Sequence, residues 1–256
     1  MNLQNILHEI EQVDTDVVDR LDHMSRRHMF SSLVKKAVVA GSAAAPVVLA
    51  SLLNKTYGQS SVVAEVLNFA LTLEYLEAEY YNVSLATPGF LNGEARVTFA
   101  QIAKHENAHV ALLKGALGSA AVAKPKFDLT YGGAYPDTFS NYRTFLTQAS
   151  GFEDVGVRAY KGQAPRLMSA PDVLTIALQI HSVEALHAAK VRYLAGLQGW
   201  INLSPPGLPY AEEDKVSQGG VNLVAATGYS AALVSQAFDE PLTKDQILAI
   251  VKPYFA

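Results

Sequence analysis

The sequence predicts an all-α protein: a four-helix bundle with one long crossover, preceded by an N-terminal helical leader and followed by a C-terminal tail. Three observations predict it. Between residues 61 and 196, four helical stretches of about 24 residues each, or roughly 36 Å, follow one another. The links between them run short, long, short. The first pair of stretches also resembles the second in sequence. Short links make helical hairpins, and a long middle link can run the length of a bundle.

In the leader, Leu3, Ile6, Leu7, Ile10, Val13, Val17 and Leu21 recur at helical spacing with Glu9, Glu11, Asp14, Asp16 and Asp19 between them. This is the pattern of an acidic amphipathic helix. "SRRHMFSSLVKK" (25–36) then precedes "AVVAGSAAAPVVLASLL" (37–53), a run without a charge. A basic patch before an apolar run has the shape of an export signal, and Arg26-Arg27 after Ser25 resembles a twin-arginine signal. Phe30 falls one place later than that pattern prefers, and the segment before it is long and acidic. The run is slightly short for a membrane span, and Pro46 interrupts it. Two readings stay open. One is an exported, periplasmic or membrane-associated protein that meets the export machinery or a membrane through residues 1–60. The other is a cytoplasmic protein in which the run is a buried or interface helix.

The bundle is assigned to 61–196 and the tail to 197–256. Helix one runs from 61 to 84 and ends near "LATPGFLNGE", a Pro/Gly turn. Helix two runs from about 94 to 117 and stops at Gly118. The crossover is "SAAVAKPKFDLTYGGAYPDT" (119–138), rich in Pro, Gly and aromatics. Helix three is expected from Thr138 to Gly162, closed by "QAPRLMSAP" (163–171), and helix four from Pro171 to Gly196. Proline suits the first turn of a helix. In the tail, the prolines of "INLSPPGLPYAEEDK" (201–215) cannot continue a helix, and "TKDQILAIVKPYFA" (243–256) predicts a short helix from Thr243. Such a tail can cover one end of the bundle or make a subunit contact in a homo-oligomer.

Half the residues are hydrophobic and 17% are charged, which fits helices that bury more than one face and excludes a disordered chain. The net charge of −4 and the lack of a basic stripe with interleaved aromatics argue against a nucleic-acid partner. There is no cysteine, so disulfides, iron–sulfur clusters and thiolate zinc sites are impossible. Any metal must be held by nitrogen and oxygen.

The repeat locates candidate ligands. At one constant shift, Leu67, Ala70, Glu74 and Tyr81 fall on Leu146, Ala149, Glu153 and Tyr160. At a shift one residue shorter, Glu106, His109, Lys114 and Gly118 fall on Glu184, His187, Arg192 and Gly196. "HENAH" (105–109) looks like the His pair of a zinc protease, but the duplicated part is Glu-x-x-His alone, since His105 has Val183 as its counterpart. The protease reading also leaves Glu74, Glu153, Glu184 and His187 without a role.

Helical residues three apart lie on one side with Cβ atoms roughly 5–6 Å apart, so each pair can present a carboxylate and an imidazole to one point. A hairpin returns Glu74 to the level of Glu106, and Glu153 to that of Glu184. Four inward carboxylates need counter-charge, and two divalent cations supply it.

Glu74, Glu106-x-x-His109, Glu153 and Glu184-x-x-His187 resemble, in full and in order, the ligand set of ferritin-like di-iron or di-manganese carboxylate proteins. "NFALTLEYLEAEYYN", with the signal-like leader and the long tail, is similar to the bacterial ferritin-like-domain group related to desiccation-associated proteins. The resemblance implies that Glu74 and Glu153 are terminal ligands, that Glu106 and Glu184 bridge the ions, and that His109 and His187 each cap one. It implies two iron ions, or two manganese ions, acting with oxygen or peroxide. The implied activity is oxidation of ferrous iron or reduction of peroxide or oxygen. The alternatives are a manganese catalase-like dismutase and a non-enzymatic, stress-related bundle.

Four further residues are candidates for a supporting shell. His181 lies three residues before Glu184, and Glu77 one turn beyond Glu74, where the repeat has Gly156. Tyr81 and Tyr160 lie two turns beyond Glu74 and Glu153, with core packing slightly favoured for both. His105 is expected to pack or to face solvent.

Overall fold

The computed structural model describes residues 61–201, 216–218 and 220–256. The amphipathic leader, the export-signal reading and nearly all of the proline-rich stretch fall outside the described residues. None of the described helices is long and apolar enough to cross a membrane.

Four long helices dominate: α1 (Ser61–Ala86), α2 (Gly93–Leu117), α3 (Tyr142–Gln163) and α4 (Pro171–Leu194). α1 packs chiefly on α2 and α3 on α4, and the two hairpins close on each other. Both α1 and α3 are buried along most of their length, including polar positions. That is why α1 reads as a nearly continuous apolar run, whereas α3 buries Gln148, Asp154 and Arg158 among its polar residues.

Helix three begins four residues later than Thr138. The Thr138 hydroxyl instead donates to the Tyr135 carbonyl at 2.7 Å and accepts from Gln148 Nε2 at 2.6 Å, which holds it in the preceding turn. Asn141 is the cap, its side chain accepting from the Arg143 and Thr144 amides. A side-chain oxygen at this position satisfies amides that have no partner within the helix.

The crossover is pinned by the C-terminus. Phe127 and Phe255 form an isolated antiparallel bridge, and Asp128 N donates to the Tyr254 carbonyl at 2.7 Å. Tyr254 reaches inward to donate its hydroxyl to Gln148 Oε1 at 3.0 Å. Phe145 stacks on Tyr80 at 5.0 Å, and Tyr80 donates to the Phe145 carbonyl at 2.8 Å, tying α1 to α3.

In the tail, a two-stranded ribbon, β1 (Ser217–Gln218) and β2 (Val221–Asn222), precedes α5 (Leu223–Thr227), α6 (Ala231–Ser235) and α7 (Lys244–Val251). The last is capped by Thr243 in a capping box with Gln246. α5 and α6 were not expected, because five-residue helices are too short to show periodicity. The segment before α7 is fastened to α3 by Arg158, fully buried, whose guanidinium meets Glu240 Oε2 at 2.9 Å. Leu242 N donates to the Arg158 carbonyl at 3.3 Å. Gly162 permits this approach, since a Cβ there would lie 1.9 Å from the Leu242 oxygen.

Gly162→Ala therefore pushes backbone against backbone. The expected outcome is a loss of about 1–3 kcal/mol in chemical denaturation.

Candidate metal centre

The bundle interior collects all six duplicated residues. Each hairpin contributes a lone glutamate from its first helix and a Glu-x-x-His pair from its second. Glu74, Glu106, His109 and Glu184 present one ligand atom each, all within 4.8 Å of one another. Glu106, Glu153, Glu184 and His187 form a second such group. The two groups overlap at Glu106 and Glu184, one from each hairpin. None of the four glutamates is more than 1% exposed, so water does not neutralise their charge.

The imidazoles turn Nδ1 inward. His109 Nδ1 lies 3.1 Å from Glu74 Oε2 and 3.0 Å from Glu106 Oε2. His187 Nδ1 lies 2.9 Å from Glu106 Oε1 and 3.2 Å from Glu153 Oε2.

The tyrosines cross between hairpins. Tyr160 on α3 donates its hydroxyl to Glu74 Oε1 on α1 at 2.6 Å, and Tyr81 on α1 donates to Glu153 Oε1 on α3. The packing role favoured for them is thus corrected: each rings the core but also holds the opposite hairpin's glutamate. Sequence showed that both lie on the inward face, but not which oxygen they reach.

His181 points elsewhere. Half-buried, it donates from Nδ1 to the Val157 carbonyl at 3.0 Å and joins α4 to α3. Glu77 is buried beside the six but belongs to neither ligand group. His105, expected only to pack or face solvent, instead sets Nδ1 2.8 Å from His187 Nε2. No local pattern announced this contact, because it joins α2 to α4. His105 also lies outside both ligand groups, so HENAH does not act as a five-residue motif.

The family model described as the ferritin-like domain matches residues 63–197. The chain belongs to this family. No curated protein matches it in sequence. The ferritin-like match covers the four long helices and ends where the tail begins.

Electrostatics of the ferritin-like core follow from burial. Burial pushes Glu106 up to about 7, against the nearby His109 and His187 imidazoles, which favour its charged form. Glu77 and Glu184 are raised well above the carboxylate range by burial and by each other's neighbours, with Glu74 and Glu106 acting on both. Burial alone would lower His109 and His187, but Glu74 acting on the first and Glu153 on the second outweigh it and hold each at about 10. Burial also keeps Tyr81 and Tyr160 protonated, so both remain donors.

The residues present fit a bound metal. Neither oxygen of Glu184 and only one of Glu106 has a hydrogen-bond partner. Glu184 Oε1 is 3.4 Å from His109 Nδ1, and Glu106 Oε1 2.9 Å from His187 Nδ1, close but out of line for hydrogen bonds. Buried carboxylate oxygens without donors carry a desolvation penalty that a cation removes. Gly156 makes room for this arrangement, since a Cβ there would meet Glu184 Oε2 at 2.7 Å.

Two outcomes are expected. Protons bind Glu77, Glu106, Glu184, His109 and His187 more tightly in the folded chain than in the unfolded one. Their stabilisation is full below the ordinary values and is lost as pH rises through the raised ones. Glu74, whose carboxyl is lowered chiefly by His109 against its burial, acts oppositely, and its contribution is lost on acidification. Thermal melts of metal-free protein should therefore show Tm falling from about pH 5 to about pH 8, with added divalent cation restoring it at the higher pH. Gly156→Ala should leave the melt nearly unchanged, because only the end of a flexible side chain must move, yet weaken metal binding in a titration by displacing Glu184.

Proposed function

We propose that this ferritin-like protein holds two iron ions and uses them to oxidise ferrous iron or to reduce peroxide or oxygen. The observation that carries the reading is the overlap of two four-residue ligand groups at Glu106 and Glu184. In this reading Glu106 and Glu184 would serve both ions, Glu74 and Glu153 would each serve one, and His109 and His187 would each supply a nitrogen to one. Two adjacent redox ions supply electrons in pairs, which suits dioxygen and peroxide.

The chain's own residues account for the rest of the site. Tyr81 and Tyr160 each occupy one oxygen of Glu153 and Glu74, leaving the other oxygen to face the centre. That fixes the terminal carboxylates in orientation. Glu106 and Glu184 lack such complete restraint, so they are free to alter how they share a ligand position. All four glutamates of the site are at most 1% exposed, so the site is shut off from bulk water.

Nitrogen and oxygen donors suit manganese as well as iron, and the metal found decides between an iron oxidoreductase and a catalase-like dismutase. Elemental analysis of the purified chain should give about two ions per chain, lost in the Glu106→Ala, Glu184→Ala double variant. That variant should also melt above metal-free wild type, having shed two buried carboxylates, three of whose oxygens have no hydrogen-bond partner. Iron-loaded protein should consume oxygen or peroxide as ferrous ion is oxidised. Oxygen release from peroxide by manganese-loaded protein would favour the dismutase. Absence of bound metal, with equal melts for both proteins, would overturn the reading.

A further inference from the structure

The two halves of the centre match in ligands but differ in what stands behind their histidines. His187 directs Nδ1 toward Glu106 and Glu153, while its Nε2 lies 2.8 Å from His105 Nδ1. The two rings are inclined by only 11° with centroids 5.1 Å apart. With the nitrogens in hydrogen-bond contact, that separation places the rings edge to edge, the geometry of an N–H···N bond rather than of a face-to-face stack. Behind His105, its own Nε2 lies 2.6 Å from the Gln101 amide. In the other half the repeat puts Val183 at the position of His105. An aliphatic side chain can neither donate nor accept.

Chemistry fixes the direction of the chain. A neutral imidazole that gives the Nδ1 lone pair to a cation must carry its proton on Nε2. For His187 that proton meets His105 Nδ1, which accepts it. His105 then bears its own proton on Nε2, directed at Gln101, whose amide oxygen faces it after a flip of the side chain. His105 is half-buried and Gln101 exposed, so this three-residue relay of hydrogen bonds runs from the centre to the surface.

We infer that His105 is a positioning residue for His187 alone: by accepting the Nε2 proton it fixes that ring with Nδ1 inward and makes the ion beside His187 the tighter bound of two. The inference rests on the two-ion reading of the same centre. An acceptor behind a ligating imidazole holds its tautomer and raises its basicity, and losing one typically costs 10–100-fold in metal affinity. Because Val183 offers no such support to His109, the duplicated centre has one strong and one weak position.

The test uses the full chain stripped of metal and titrated with zinc, a closed-shell ion that accepts the same donors, against a chromophoric chelator. Wild type should show two distinct constants. His105→Ala should weaken the tighter one by roughly 10–100-fold and leave the other unchanged. His105→Gln, whose amide oxygen can accept, should recover much of the loss. On zinc-loaded protein, nitrogen-15 spectra should show the His187 proton on Nε2, protected from solvent exchange in wild type and unprotected in His105→Ala. Unchanged constants in His105→Ala, or equal loss at both positions without rescue by glutamine, would overturn the inference and leave the two-ion reading standing. Wild type that binds no zinc pair would overturn both.

Discussion

The structure is organised around the cost of burying carboxylates. Glu74, Glu77, Glu106, Glu153 and Glu184 share one bundle interior, each 3% exposed or less. Among the described residues, the buried arginines are engaged elsewhere: Arg158 meets Glu240, and Arg192 meets Asp154. Two imidazoles and two phenols are therefore what the fold itself sets against the negative charge. Burial and the crowding of like charges weaken Glu106 and Glu184 as acids, while the facing carboxylates raise the basicity of both histidines. A bound cation would relieve this cost, linking the stability of the bundle to the occupancy of its centre.

Duplication gives the centre its approximate symmetry, and three substitutions within the repeat break it. Glu77 stands where the other half has Gly156, His105 where it has Val183, and His181 where it has Ala103. Each change has a distinct consequence. Gly156 gives Glu184 room, whereas Glu77 adds a fifth buried carboxylate at the matching place. His105 reaches His187, and Val183 at the matching place offers no polar atom. His181 ties α4 to α3 without approaching the ligands. Equivalent ligands thus sit in inequivalent surroundings, and surroundings tune a metal as much as ligands do.

The tail and crossover serve the centre at a distance. Arg158 and Gly162 lie on α3 beyond Glu153, and the segment around Leu242 packs directly on them. Tyr254 reaches Gln148 on the same helix, and the Phe127–Phe255 bridge joins the crossover to that C-terminal segment. α3 is thereby held along its length by chain that supplies no ligand. Precise ligand geometry depends on such rigid backing.

The sequence by itself determined the four helices and six candidate ligands, because helical spacing is local: three residues always return to one side, and a hairpin always returns to its own level. It also determined that any metal would meet only nitrogen and oxygen. Helix three starts later than its sequence predicts because Thr138 is claimed by Gln148, a partner ten residues away that no capping rule contains. Only the tertiary structure decided that Tyr81 and Tyr160 hold the opposite hairpin's glutamates, that His105 backs His187, and that Gly156 makes room for Glu184. Those contacts depend on how one hairpin is rotated and shifted against the other, a degree of freedom that periodicity along a single helix does not encode.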